Sequence, residues 1–447
     1  MPNLMRLIQG TIGRGRFVAT RDHALQLDDF AWASSLSSHL ARLEGRSVVL
    51  FVGDMAKAAA ALIDLDGWAR RVVLCPPGWG PSQLEAVVRD AEADALVYDG
   101  DDDPRIPMEF AAPCRLPLQP LESPRATSCE TEWILPTSGT SGAPKLVAHT
   151  LRTLTAAISE APLQQWATFY DIRRYGGLQI FLRALSGEGS LQLGGAAENV
   201  DSLLARFAAA RVTHISGTPS HWRKVLMSGK GHSIDPDYVR LSGEIADDSI
   251  LAALGTLYPR ARVEHAYAST EAGVAFTVDD GRAGFPARWL ESDCAVQMKV
   301  VDGGLRIRSD RCALRFIGAG APLVGDDGFV DTGDMVERRG DRIYFVGRRS
   351  GVINVGGAKV HPEEVEQALN AHVAVRASRA FARKNSLMGA LVFADVMLRD
   401  EHMADAGLED EILAACRARL APHFVPVKLR FVANLPTTDG GKIARHG

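Results

Sequence analysis

Apolar residues first recur at helical spacing over residues 28–42, where Phe30, Trp32, Ala33, Leu36 and Leu40 form a stripe, and this predicts a helix. Val48 to Val52 is an unbroken apolar run rich in valine, the pattern of a strand buried on both faces of a parallel sheet. The alanine-rich segment Met55 to Leu65 reads as a helix. Arg71 to Cys75 reads as a second strand, stopped by Pro76-Pro77-Gly78, residues 81–93 as another helix and Ala95 to Tyr98 as a third strand. This alternation predicts an α/β layer with a parallel sheet. Residues 101–132, with three consecutive aspartates and prolines at 104, 107, 113, 117, 120 and 124, read as an irregular connection. Further on, helices are expected over 151–161, 200–210 and 251–258, and strands over 211–215 and 263–268. From Ala295 to Phe345 the period falls to two, in short runs split by Gly303-Gly304 and Asp326-Asp327-Gly328, which predicts a small β-rich subdomain.

The 447 residues exceed what one ordinary core organises, so two or three domains are expected. A hydrophobic content of 46% with 23% charged residues is that of a soluble globular chain. A net charge of -4 gives no general attraction to nucleic acid or to an anionic membrane. No apolar run approaches the length of a membrane span, and the first residues lack a secretory signal, so a cytoplasmic location is expected. The six cysteines are scattered without a Cys-x-x-Cys pair, which suggests incidental thiols rather than zinc ligands or a disulfide framework.

One stretch stands out chemically. Trp133-Ile134-Leu135 leads like a strand into Thr137-Ser138-Gly139-Thr140-Ser141-Gly142, four hydroxyls and two glycines in six residues, followed by Ala143-Pro144-Lys145. Such a loop packs no core. Its glycines admit close backbone approach, its N–H and hydroxyl groups donate to phosphate oxygens, and Lys145 adds a mobile positive charge. The spacing is not that of a Walker loop.

Other segments are ambiguous on their own. Tyr267-Ala268-Ser269-Thr270-Glu271 ends a predicted strand about 130 residues beyond the loop. Glu271 suits a magnesium ion that shares its remaining positions between phosphate and water, and it suits the first turn of a capped helix equally well. Asp334, in Phe329-Val330-Asp331-Thr332-Gly333-Asp334-Met335, can accept both hydroxyls of a ribose or sit solvated in a turn. Gly347 to Glu366 is a glycine-rich turn followed by a helix that Pro362 opens, with Glu363 and Glu364 in its first turn. Near the end, Pro436 and Gly440-Gly441 carry Lys442 on a loop that also reads as a basic tail.

Taken together and in this order, these motifs closely resemble those of the adenylate-forming superfamily: acyl- and aryl-CoA synthetases, peptide-synthetase adenylation domains and luciferases. The resemblance runs from about residue 30 to 445 and implies an α/β fold. A large N-terminal domain of α/β layers with its β-rich subdomain would span 1–348, a hinge 349–351 and a small mobile α+β cap 352–447. It implies that Thr137 to Gly142 and Lys145 bind phosphate, that Gly243 and Glu244 form the adenine-contacting turn, and that Tyr267 packs on adenine. Thr270 would contact the α-phosphate, Glu271 hold Mg²⁺, Arg348 reach ribose or phosphate, and Lys442 bridge carboxylate and phosphate. Ser350 stands at the pivot where the family usually has Asp or Lys, Ala268 replaces a usual glycine, and Gly356-Gly357 would enter for the thiol step.

Phe169 to Gln179 matches least well. It lacks the histidine of CoA ligases, and its Asp171 only approximates the aspartate that holds an amino group in adenylation domains. Tyr175, Gly176 and Gly177 are expected to wall the acid pocket and Ala268 to close its floor. Asp171, Arg173 and Arg174 are its charges unless they are salt-bridged and structural. An inward Asp171 would select an amino acid, an inward arginine a second carboxylate or other polar acid, and neither an aryl or medium-length acyl acid. The expected function is ATP-dependent activation of a small carboxylic acid to an acyl-adenylate, then transfer to a thiol. CoA is favoured by the likeness of Asn354 to Val360 to the CoA-ligase loop and because no carrier domain is read in the chain. Loading of a separate carrier protein is the alternative, and a degenerate nucleotide-binding protein the non-enzymatic one.

Overall fold

The computed structural model describes residues 3–10, 12–100, 106–121, 128–137, 144–159, 164–195, 198–292, 294–318, 322–355, 358–385, 389–399, 404 and 406–436. Two large sheets organise the first 280 residues. One runs, in spatial order, Arg315–Ile317, Lys145–Thr150, Glu132–Thr137, Arg71–Leu74, Ser47–Phe51, Ala95–Asp99 and Phe110–Cys114. Its valine-rich middle is parallel, as the continuous apolar runs require. The other runs Gly273–Val278, Arg262–Ser269, Tyr238–Ser242, His214–Gly217, Gln165–Thr168, Ser190–Leu193, Phe17–Ala19 and Ala24–Gln26. Apolar side chains of both sheets join one core that also takes in the helices Met55–Leu65 and Tyr175–Ser186.

The β-rich subdomain is an antiparallel sheet of Phe285–Pro286, Arg342–Arg348, Val330–Arg339, Gly304–Ser309 and Val296–Val301, in that order. The last unit has its own core. There Ile353–Val355, Ala358–Val360, Val375–Asn385, Gly389–Leu398 and Leu429–Phe431 form a sheet beside the helices Pro362–Asn370 and Ala406–Arg417. Its first helix is seated on the Arg342–Arg348 strand. Gly347, at φ +149°, lies so close to the Glu363 carboxylate that a Cβ would collide with it, and Arg339 reaches Glu364 at 3.3 Å. The fold is thus α/β with a large N-terminal part and a small C-terminal part. No described helix is long and apolar enough to cross a membrane, and all six cysteines are free.

Several expectations fail for local reasons. Residues 28–42 are not a helix but two 3-10 segments, Leu27–Ala31 and Ser37–Leu43, around a short strand. The buried Asp64 takes the hydroxyls of Ser34 and Ser35 and the Ser35 N–H, while Ser34 Oγ accepts from the N–H of Leu36 and Ser37. Serine side chains thus occupy groups a helix needs. The supposed irregular connection contains the sheet strand Phe110–Cys114. The helix expected over 151–161 ends at Thr155. The strand expected from 211 starts at His214, after a turn in which Arg211 has φ +50°.

The helix Tyr175–Ser186 matters for the site. Its C-terminal end is closed by buried Arg16, which donates to the carbonyls of Ala184 (2.8 Å), Leu185 (2.9 Å) and Gly189 (2.9 Å). Orphan helix carbonyls are thereby satisfied from another element. Its other end follows Arg174, with no side-chain hydrogen bond capping it.

Candidate active site

The strand Arg262–Ser269 carries Tyr267 toward the β-rich subdomain and breaks register by a bulge between Tyr267 and Ala268. The Tyr267 ring stacks on Phe345 at 4.7 Å and on Phe276 at 5.5 Å, both nearly parallel. Its hydroxyl donates to Asp334 Oδ2, and Arg348 Nε meets Asp334 Oδ1 at 2.9 Å. Asp334 and Arg348 are paired residues of adjacent strands, so sheet register itself places this ion pair. A second Arg348 nitrogen donates to the Thr332 carbonyl at 2.8 Å. Burial and the Asp334 charge push the Tyr267 phenol well above its ordinary value. Burial alone would lower the Arg348 guanidinium, but Asp334, Glu271 and Tyr267 outweigh it and raise it. Glu271 therefore shares the electrostatic environment of Arg348. Tyr267, Asp334 and Arg348, nominated from three motifs, are in direct contact, and Glu271, from the Tyr267 motif, is near enough for its charge to act on Arg348.

Glu271 sits in the turn between the strands Arg262–Ser269 and Gly273–Val278. Ser269 Oγ accepts from the Ala272 N–H at 3.0 Å within a turn between two strands, so no helix starts here and the capped-helix reading of Glu271 fails, while the Glu271 side chain is left half-buried. Residues Ala313 and Leu314 bridge this turn and the strand Lys145–Thr150, Ala313 N–H donating to the Glu271 carbonyl (3.0 Å) and Leu314 N–H to that of Ala148 (2.8 Å). A direct tie is His149, fully buried, whose Nε2 lies 2.7 Å from the Thr270 carbonyl. Burial lowers this imidazole to about 4. His149 was not nominated from sequence. An apolar run ending in histidine was visible, but a partner 121 residues away was not.

Ser138, Gly139, Thr140, Ser141 and Gly142 lie outside the described residues, as do Gly356, Gly357 and Lys442. Their flanks are described. Thr137 and Lys145 are register partners, so the two strands that flank the loop, Glu132–Thr137 and Lys145–Thr150, run antiparallel side by side. Lys145 is exposed, its ammonium 5.4 Å from the Phe316 ring centre. Ser350 is exposed within the 3-10 turn Arg349–Gly351. Gly243 has φ +84°, a turn position suited to glycine, whereas Glu244 is engaged as an acceptor from the Ser220 N–H (2.9 Å) in the first turn of the helix Pro219–Ser228.

The acid pocket needs the largest correction. Asp171 and Arg173 hold each other in a two-pronged, largely buried pair at 2.7 and 2.9 Å. Arg173 also donates to the carbonyls of Val52 (2.6 Å) and Gly53 (2.7 Å). Both charges are structural, and Asp171 is not a free acceptor for an amino group. On its Cβ side Gly177 faces the chain rather than open space, since a Cβ there would collide with the Asp171 carbonyl. Tyr175 is core: it is 8% exposed, packs near His149 at 5.7 Å and has the Val274 backbone as hydrogen-bond partner. Gly176 faces the Tyr170 ring, and Tyr170 donates to the Ser242 carbonyl at 2.6 Å. Arg174, just before the helix, keeps a buried Nε without a partner, and Ala268 is half-buried.

Among the described residues no group of three or more His, Cys, Asp or Glu is placed to hold a metal. Glu271 fits a hard divalent cation as a lone carboxylate whose other ligands come from a bound phosphate and water.

Residues 31–310 match the AMP-binding enzyme family, and residues 364–442 match the AMP-binding enzyme C-terminal domain. A long-chain-fatty-acid–CoA ligase of Bacillus subtilis is 36% identical over 120 residues, 27% of this chain and 21% of that protein. A probable non-canonical nonribosomal peptide synthetase of Salinispora arenicola is 25% identical over 435 residues, 88% of this chain and 5% of that protein. The chain spans about a fifth or less of the length of these curated relatives. A solved anthranilate CoA ligase in complex with anthranoyl-AMP superposes with a TM-score of 0.80 at 18% identity, covering 99% of this chain and 95% of that one.

Proposed function

The chain belongs to the AMP-binding enzyme family, and from that premise we propose that it activates a carboxylic acid with ATP and passes the acyl group to the thiol of CoA. The observation that carries the proposal is the direct contact of Tyr267 and Arg348 with Asp334, beside which the Glu271 charge acts on Arg348. The Glu271 turn adjoins the strand that leaves the hydroxyl-rich loop. In the first step a carboxylate oxygen attacks the α-phosphorus of ATP, the bond to the bridging oxygen breaks, and pyrophosphate leaves. In the second a thiol attacks the acyl carbon, the C–O bond breaks, and AMP leaves.

The protein's contribution is position and charge. Asp334 accepts the ribose hydroxyls, held for that task by Tyr267 and Arg348. Thr137, Ser138, Gly139, Thr140, Ser141, Gly142 and Lys145 receive the phosphates. Thr270 meets the α-phosphate. Glu271 holds Mg²⁺, which supplies neutralisation of phosphate charge. Lys442 bridges carboxylate and phosphate as charge develops. Ser350 then serves as pivot between the parts 1–348 and 352–447, and rotation exchanges Lys442 for Gly356 and Gly357.

The acid is an aryl or medium-length acyl acid. Pairing of Asp171 with Arg173 removes the charge an α-amino group needs, which supports an apolar pocket. A second reading, transfer to a separate carrier protein, is favoured by the extended match to a peptide synthetase. The test is a panel of aryl, aliphatic and amino acids assayed with ATP, with and without CoA. Acyl-CoA and AMP from aryl or medium acyl acids support the proposal; acyl-adenylate that CoA does not consume favours the carrier; no AMP from any acid refutes both.

A further inference from the structure

His149 closes the stretch that opens at Trp133 and carries the hydroxyl-rich loop, and it sits at the junction of two functional segments. It lies near the end of the strand Lys145–Thr150 that leaves the phosphate loop, and its ring spans to the turn that carries Glu271. The Thr270 carbonyl is only an acceptor, so the 2.7 Å contact requires a proton on Nε2. In the neutral ring Nδ1 is then an acceptor, and it lies 2.9 Å from the Thr153 hydroxyl. That hydroxyl in turn accepts from the Thr150 N–H at 3.2 Å. The Thr153 hydroxyl has one proton and two acceptors within reach, His149 Nδ1 and the Thr150 carbonyl at 3.1 Å, so the bond from His149 Nε2–H to the Thr270 carbonyl is the contact whose direction is settled. That bond ties the ring to the peptide joined directly to Glu271.

The neighbouring backbone bonds show why a side chain is used. Ala313 N–H holds the far side of the turn through the Glu271 carbonyl. His149 holds the near side through the Thr270 carbonyl. The Thr270–Glu271 segment is thus pinned at consecutive carbonyls, leaving χ angles as the main freedom of the Glu271 carboxylate. The ring is fully buried against Tyr175 and has no path to substrate, so it acts through this turn alone.

We propose that His149 is a positioning residue for the metal-binding carboxylate: its Nε2–H bond to the Thr270 carbonyl aims Glu271 at the Mg²⁺ of bound nucleotide. This rests on the adenylation reading above. Partners that orient a metal ligand typically carry 10- to 100-fold in metal affinity. His149→Leu keeps volume and removes the donor. His149→Gln keeps an N–H near the place of Nε2.

The experiment measures ATP binding by calorimetry across a magnesium titration, with Glu271→Gln as the scale. The wild type binds ATP with a magnesium-dependent affinity. His149→Leu moves the magnesium midpoint upward by roughly tenfold, in the direction of Glu271→Gln, with magnesium-free ATP binding retained. His149→Gln returns most of the shift, which a role in packing alone does not predict. If His149→Leu does not fold, Thr153→Val removes the hydroxyl beside Nδ1 and must move the midpoint the same way by a smaller factor. An unchanged midpoint in the folded variants, with magnesium dependence intact in the wild type, overturns this proposal alone. A wild type that binds no ATP in magnesium overturns the adenylation reading with it.

Discussion

Replacing Asp334 by asparagine tests the nucleotide site at its most connected residue. An ionised carboxylate offers about four acceptor positions. Tyr267 and Arg348 use one on each oxygen, so each oxygen retains a position for a ribose hydroxyl. The amide has one acceptor oxygen and turns the other position into a donor. A hydrogen bond to a charged group contributes about 1.5–3 kcal/mol, so ATP affinity should fall roughly 10- to 100-fold. The effect on folding should be small. Arg348 is 51% exposed in its side chain, and a pair so open to water contributes about 1 kcal/mol or less. In a protein of this size that moves the melting temperature by about 4 °C or less. Calorimetric titration with ATP, beside thermal unfolding of the free protein, separates the two. Unchanged ATP affinity, or an affinity loss accounted for by unfolded protein, refutes the assignment of Asp334 to the ribose.

Lys442→Ala should slow acyl-adenylate formation by roughly 100-fold or more while thioester formation from supplied acyl-adenylate largely survives; equal losses in both half-reactions contradict the two-conformation mechanism. Asp171→Ala should destabilise the fold by about 3–5 kcal/mol, because it strands the buried Arg173 charge, and should leave the order of preference among acids unchanged; a switch in acid preference without loss of stability counts against the structural assignment. Burial raises Asp66 from 3.8 to about 6, against hydrogen bonds from Leu4 N–H and Trp133 Nε1. A carboxyl raised on folding lends stability that is complete below pH 3.8 and is lost as pH climbs to about 6. Wild type should therefore lose about 2 kcal/mol relative to Asp66→Asn between pH 4 and 6.5, read by denaturation at those two values, and a constant gap refutes it.

What the sequence made legible follows from how locally each feature is determined. The helix Met55–Leu65 was readable because its alanines and leucines are uniformly buried and Asp54 caps its start by accepting the Lys57 N–H. The valine-rich strands were readable because burial on both faces leaves no other composition. Residues 28–42 misled because Asp64, distant in sequence, draws Ser34 and Ser35 out of helical bonding. In the site, Tyr267, Glu271, Asp334 and Arg348 were each marked by a short motif, but their meeting depends on sheet register between distant strands. The acid pocket was least legible. Whether Asp171 faces a substrate or Arg173 is decided by side-chain direction at one turn, and whether Gly177 leaves space or fills it is decided by a carbonyl six residues earlier. His149 escaped notice for the same reason: its role lies entirely in a contact across 121 residues.

The central claim is that the acid is joined to AMP before it meets a thiol, and the fate of the carboxylate oxygens reports this directly. With an accepted acid labelled with ¹⁸O in its carboxylate, ATP, magnesium and CoA, attack on the α-phosphorus places a carboxylate oxygen between acyl carbon and phosphorus. Thiol attack then leaves that oxygen on AMP. Mass spectrometry of the AMP should find a single ¹⁸O per molecule in its phosphate, with none in pyrophosphate. Label in inorganic phosphate with release of ADP, or unlabelled AMP beside formed thioester, would contradict the account.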